Sequence, residues 1–279
     1  MNEKYELTEE FKEIETLREG WLQKIKVYRI RALRAFADVK IGDLGGFVET
    51  KQNLSNMGNA WVYGNAEVYD NARVCDNARV CDNAKVCDNA RVYGNAKVYG
   101  DAWVCDNARV CGNAKVYGDA WVYGNASVCG NAKVYGDARV CGNASVCGNA
   151  RVCGNAEVYG DAWVCGNASV CDNAEVCGNA EVYGDARVCG NAKVCDNANI
   201  FWCSSIGSRH ATTTMFRNTD NGITVTCGCF LGTLEEFAER VEKEHGENIF
   251  GKEYKLLIEL AKIHFGLQDE TKGEEENGI

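Results

Sequence analysis

A chain of 279 residues, 46% of them hydrophobic and none of them proline, can bury a sizeable core in one or two domains. Its net charge of −10 argues against a general nucleic-acid or anionic-membrane binder, although a local basic stripe survives that argument. No apolar run approaches the ~18–20 residues of a membrane span, and Met1-Asn2-Glu3-Lys4 lacks the apolar stretch of a signal peptide, so a cytoplasmic protein is expected, its 17 cysteines kept as free thiols.

Residues 1–59 do not repeat and are expected to form an N-terminal cap. Phe11, Ile14 and Leu17 stand at near-helical spacing, with Thr8 as a cap and Gly20 as a stop, which predicts a short helix. Ile25 to Leu33 alternates like a strand, and Gly42 to Val48 reads as an irregular first coil leading to Leu54.

Residues 60–202 are one hexapeptide repeated. Alanine recurs every six residues from Ala60 to Ala198, 24 copies in all, and valine keeps the same register from Val62 to Val194. A period of six is neither helical nor a heptad. Ala and Val lie two apart, so they share one face of a strand, while the residue between them (Trp, Arg, Lys, Glu, Ser or Asn) faces out. The Gly-Asn, Gly-Asp or Asp-Asn after each strand tolerates positive φ and makes a corner. One such strand cannot bury its own face, whereas stacked coils can. Three hexapeptides would close a coil of 18 residues and 24 copies would give eight coils, about 38 Å tall at ~4.8 Å per rung. Lys97-Val98-Tyr99-Gly100-Asp101 does return at Lys115 and Lys133, but the Tyr-Gly-Asp triplets ending at Asp161 and Asp185 return after 24.

In residues 203–266 the segments Thr212–Arg217 and Ile223–Cys227 read as a hairpin around Asp220-Asn221-Gly222. Thr233 and Glu236 form a capping box for a helix from Leu234 to His245, ended by Gly246. A second helix is expected from about Glu253 to His264, with Leu256, Leu257, Leu260 and Ile263 as its apolar stripe. Residues 267–279 are an acidic tail with the composition of a disordered segment.

The Ala and Val registers resemble the left-handed parallel β-helix (hexapeptide-repeat) proteins. That resemblance implies a triangular section and a left-handed path, against the right-handed preference of ordinary parallel crossovers. The place after the aliphatic residue departs from the family, being Tyr nine times and Cys fourteen times. Tyr28 to Leu33 with Asp38 to Gly46 is similar to the start of uncharacterised bacterial and prophage β-helix proteins, some of which carry an acetyltransferase label. The fold expected is mainly β, a left-handed parallel β-helix of about eight coils with an N-terminal cap and a small C-terminal α+β unit.

Acyltransferases and zinc carbonic anhydrases of this family use histidines in or beside the shaft. Here the shaft has none, and His210, His245 and His264 all lie beyond residue 200, so no catalytic residue, metal ligand or cofactor carries over. The Cys columns could gather soft metals, but Cys exchanges with Tyr at this place, which favours a polarizable space-filler. Arg209 and His210 followed by Thr212, Thr213 and Thr214 form the most site-like cluster, able to hold a carboxylate or phosphate. A docking stripe of Arg79, Lys97, Lys115, Lys133 and Arg151, with Trp103 and Trp121 on the next side, would suit an acidic partner. The expected function is a non-catalytic scaffold or binding module for a macromolecule, a protein rather than nucleic acid or membrane. An inter-subunit acyltransferase, a self-assembling filament and a homo-oligomer are the alternatives.

Overall fold

The computed structural model describes residues 3–18, 20–196, 199–218 and 222–267; Ala198, Asp220, Asn221 and the acidic tail from Gln268 lie outside the described residues. The repeat folds as 23 strands, β4 (Trp61–Val62) to β26 (Lys193–Val194), most of them two residues long. Each pairs in parallel with the strand 18 residues away, as in Lys97 with Lys115 and Trp103 with Trp121. Three hexapeptides therefore make one coil, and the coils stack into a parallel β-solenoid of three sheets. Every alanine from Ala60 to Ala192 and every valine from Val62 to Val194 is at most 2% exposed, so the interior is a column of these two side chains.

The corners explain the other half of the repeat. One residue per corner, Gly or Asp, takes a left-handed φ between 56° and 73°. Where it is Asp, the cost of a side chain there is offset by a hydrogen bond: the carboxylates of Asp76, Asp82, Asp88, Asp106 and Asp172 each accept the amide 18 residues on, at 2.9–3.1 Å. The next residue, asparagine, joins a ladder. From Asn59 through Asn167 to Asp185 each side-chain amide donates to the next side chain 18 residues later, at 2.9–3.1 Å.

The first strands correct the sequence reading. Residues expected as a helix form β1 (Tyr5–Arg18), which pairs antiparallel with β2 (Trp21–Ala32), as the alternation of Ile25 to Leu33 requires. Phe11 and Leu17 are exposed, while Lys12, Ile14, Thr16 and Arg18 turn toward the shaft, so the three apolar residues never share a face. Partner chemistry decided this: Ile14 pairs with Ile25, Lys12 reaches Glu67 at 3.3 Å, and Arg18 reaches Glu49 and Asp70 at 2.6 Å. The hairpin joins the solenoid through β3 (Leu44–Val48), which pairs antiparallel with β2 and parallel with β5 (Glu67–Val68).

Lys4 closes the lower end. It is fully buried, its Nζ donates to the Ala60 carbonyl at 2.9 Å and it faces the Phe36 ring at 5.1 Å. Burial, then the Arg34 charge, pull its pKa down to about 8. An unfolded lysine keeps its proton to about 10.4. Between about pH 8 and 10 the unfolded chain thus binds more protons than the folded one, and stability rises with pH. The melting temperature of the wild type should therefore gain on that of Lys4→Met between about pH 7 and 9.5; a constant difference would contradict this.

At the upper end, β27 (Ile200–Ile206), β28 (Ala211–Arg217), β29 (Ile223–Cys227) and β30 (Phe230–Thr233) form an antiparallel sheet, with β28 and β29 paired as expected. Helix α1 (Leu234–His245) has the capping box on Thr233 and Glu236 and stops at Gly246. Helix α2 (Ile249–His264) starts before the expected Glu253, because the Asn248 side chain accepts the Gly251 amide at 3.0 Å. Its expected stripe is mostly outside: Leu256, Leu260 and Ile263 are exposed, and Leu257 is buried with Tyr254, Ile258 and Ala261. Both sides of this helix are apolar, and the edge-to-face contact of Tyr254 with Phe237 of α1 marks the side that packs. No helix among the described residues is long and apolar enough to cross a membrane.

Candidate functional site

A concavity of about 170 Å³ lies in the C-terminal unit. The turn after β27 brings Arg209 to its mouth, the Cys227-Gly228-Cys229 turn forms one wall, and Phe237, Val241 and Tyr254 of the two helices give an apolar floor. Gly207 fixes the geometry: a Cβ there would sit 1.9 Å from the Tyr254 hydroxyl, and its amide donates to Glu253 Oε2 at 2.9 Å. Arg240 and His245 complete the lining; Arg240 is engaged by Glu244 at 2.9 Å, and the His245 ring lies 5.7 Å from that of Tyr254. Burial, then the hydrogen bond with the Cys227 thiol, push the Tyr254 hydroxyl up, so it stays protonated. Arg209 is exposed and has no ion-pair partner among the described residues. A guanidinium above an apolar floor suits a carboxylate or phosphate carried on a small apolar body.

The five residues singled out in the sequence are not brought together. His210 is exposed beside Arg209 and does not line the cleft. Thr212 pairs with Ser204 at 2.8 Å. Thr213 is buried and donates to Cys227 Sγ at 3.2 Å; Thr214, also buried, accepts the Arg187 amide at 3.0 Å. With Thr226, which donates to the Arg187 carbonyl at 3.2 Å, Thr214 satisfies the open edge of the last coils. Of the triplet, Thr214 is thus spent on capping, and Thr212 and Thr213 on bonds within the C-terminal sheet. Arg240, His245 and Tyr254 carry no local sequence signal of a cleft, and Arg240 and Glu244 stand at the i, i+4 spacing of an ordinary solvated helix face.

A second surface is the face built on Arg79, Lys97, Lys115, Lys133 and Arg151, which pair in register one rung apart. Arg79 is held by Asp38 at 2.8 Å. The other four have no ion-pair partner among the described residues. Beside the three lysines Tyr99, Tyr117 and Tyr135 stack with ring centroids 4.8 and 4.9 Å apart. Burial, first among the causes, raises Tyr99 and Tyr117, and a hydrogen bond with Cys153 raises Tyr135 to about 12. On the next face Trp103 and Trp121 stack at 4.9 Å, Trp121 being 41% exposed.

Thiol columns follow the strands of all three sheets. Cys177 and Cys195, one rung apart, are joined by a disulfide, which corrects the expectation of free thiols throughout. The rung spacing alone does not select this pair, since Cys129 and Cys147, stacked in the same way, are free. Near the top, Cys189 is lowered by its hydrogen bond with Cys171 and by the Arg187 charge, against the effect of burial.

A family model described as the YdcK beta solenoid repeat matches residues 84–100, 90–106, 108–124 and 150–166, all within the stacked coils. No curated protein matches the chain. The repeat matches and the coil geometry agree that this is a β-solenoid repeat protein.

Proposed function

We infer that the chain is a non-catalytic binding scaffold in which the shaft sets distance and orientation and the C-terminal unit engages an acidic segment of a protein partner. One observation carries this reading: Arg209, without an ion-pair partner among the described residues, stands at the mouth of a cleft with an aromatic and aliphatic floor. A shaft of near-identical coils gives a partner few distinguishing contacts, and this cleft lies in the non-repeating C-terminal unit. In a pull-down from the native host, Arg209→Glu should reduce capture more than ~10-fold, with the melting temperature unchanged. His210→Ala, outside the cleft, should change it little. Undiminished capture by Arg209→Glu would reduce the unit to a cap.

The four cations on one face that have no ion-pair partner among the described residues favour a second reading, in which an acidic partner lies along the shaft. Lys115→Glu with Lys133→Glu would then abolish capture while Arg209→Glu leaves it intact. An acyltransferase related to the labelled prophage proteins rests on resemblance alone, and acyl-CoA turnover by the purified protein would replace the scaffold reading.

A further inference from the structure

The exchange of Cys with Tyr argues against a metal array along a whole column, but it leaves two places where a Cys-Asp corner has a second cysteine one rung on. These are Cys87-Asp88 with Cys105 and Cys171-Asp172 with Cys189. At Cys75-Asp76, Cys81-Asp82 and Cys105-Asp106 the residue one rung on is Tyr93, Tyr99 or Tyr123. In each of the two groups, two Sγ atoms and a carboxylate oxygen lie within 4.8 Å of one another.

We propose that Cys87, Asp88 and Cys105 bind a soft divalent cation of the zinc or cadmium class. Tetrahedral zinc with Zn–S of ~2.3 Å spaces two sulfurs ~3.8 Å apart, inside the separation found here. The left-handed φ of 56° at Asp88 turns its carboxylate along the shaft, where it accepts the Asp106 amide at 3.1 Å and the Cys87 thiol at 3.4 Å. The carboxylate is thereby held at the thiols before any ion arrives. Phe47, Ile25 and Tyr69 pack over Cys87, which is 5% exposed, while half-buried Asp88 and Cys105 leave a way in for the ion and for a water as fourth ligand. The neighbouring Lys85 is drawn to Glu67, at 3.9 Å, and to the Trp103 ring. In the second group Arg187 lies against the thiols and competes with a cation, so that group is expected to bind more weakly. On binding, both thiols lose their protons to solvent and each sulfur donates a lone pair, so two protons are released per ion.

The test is a titration of the full-length chain with Cd(II), kept from oxygen and reduced by a phosphine, followed by sulfur-to-cadmium charge-transfer absorbance and by proton release. One tight equivalent and two protons are expected. Cys105→Ser and Asp88→Asn should each weaken it more than ~10-fold; Asp88→Asn keeps the corner's size and carries the test if Cys105→Ser does not fold. Cys129→Tyr with Cys147→Tyr, exchanges the repeat itself makes, breaks the longest thiol column and should leave the tight equivalent in place. The proposal is overturned if no tight equivalent forms, if it survives both site variants, or if it disappears instead with Cys129→Tyr/Cys147→Tyr or Cys171→Ser.

Discussion

Val128→Asp should unfold the middle of the shaft. Val128 is fully buried, and its register partners in the coils on either side are Val110 and Val146. A carboxylate there meets only Ala and Val side chains in the interior, and an unpaired buried charge costs about 3–5 kcal/mol. Coils touch only their neighbours, so one broken coil uncouples those on either side of it. At ~2–4 °C per kcal/mol for a domain of this size, the melting temperature should fall by roughly 6–20 °C. Limited proteolysis should cut first near residue 128. A melting temperature within about 2 °C of wild type would mean that the valines do not face inward.

A corner substitution should discriminate between side chains by chemistry rather than size. Gly130 has φ of 68°, and a Cβ there would lie 3.0 Å from the Gly148 amide nitrogen and carbonyl oxygen. Gly130→Val adds a β-branched side chain in the left-handed region against backbone that cannot retreat, for a loss of about 3 kcal/mol. Gly130→Asp meets the same contact but can accept the Gly148 amide, as Asp106 accepts that of Gly124 at 2.9 Å, and should lose far less. Chemical denaturation of the two variants measures the difference. Equal losses would show that the carboxylate bond contributes nothing to the corner.

Several elements were legible because their signals are local. The alternation of Ile25 to Leu33, the hairpin strands at Thr212 to Arg217 and Ile223 to Cys227, and the Thr233/Glu236 capping box each depend on a few adjacent residues. The helix expected from Phe11, Ile14 and Leu17 was misread because Lys12, Thr16 and Arg18 have their partners on Glu67, Asp70 and Glu49, which sequence spacing does not reveal. The cleft was legible only at Arg209. Its other walls come from a turn and two helices, while Thr213 is spent on Cys227 within the sheet and Thr214 on the open edge of the solenoid.

The hexapeptide by itself determined the parallel stack, the Ala/Val interior and the corners, because each copy carries a two-residue inward face and a residue pair suited to positive φ. How many copies close a coil was open in the sequence, where both 18- and 24-residue returns occur. Only the tertiary structure decided it, through strand pairs and side-chain ladders that all run at a separation of 18. The same holds for α2, whose two apolar sides are equivalent in sequence until Tyr254 meets Phe237. It holds too for the thiols of Cys87 and Cys105, which become neighbours of one carboxylate only when one coil is laid on the next.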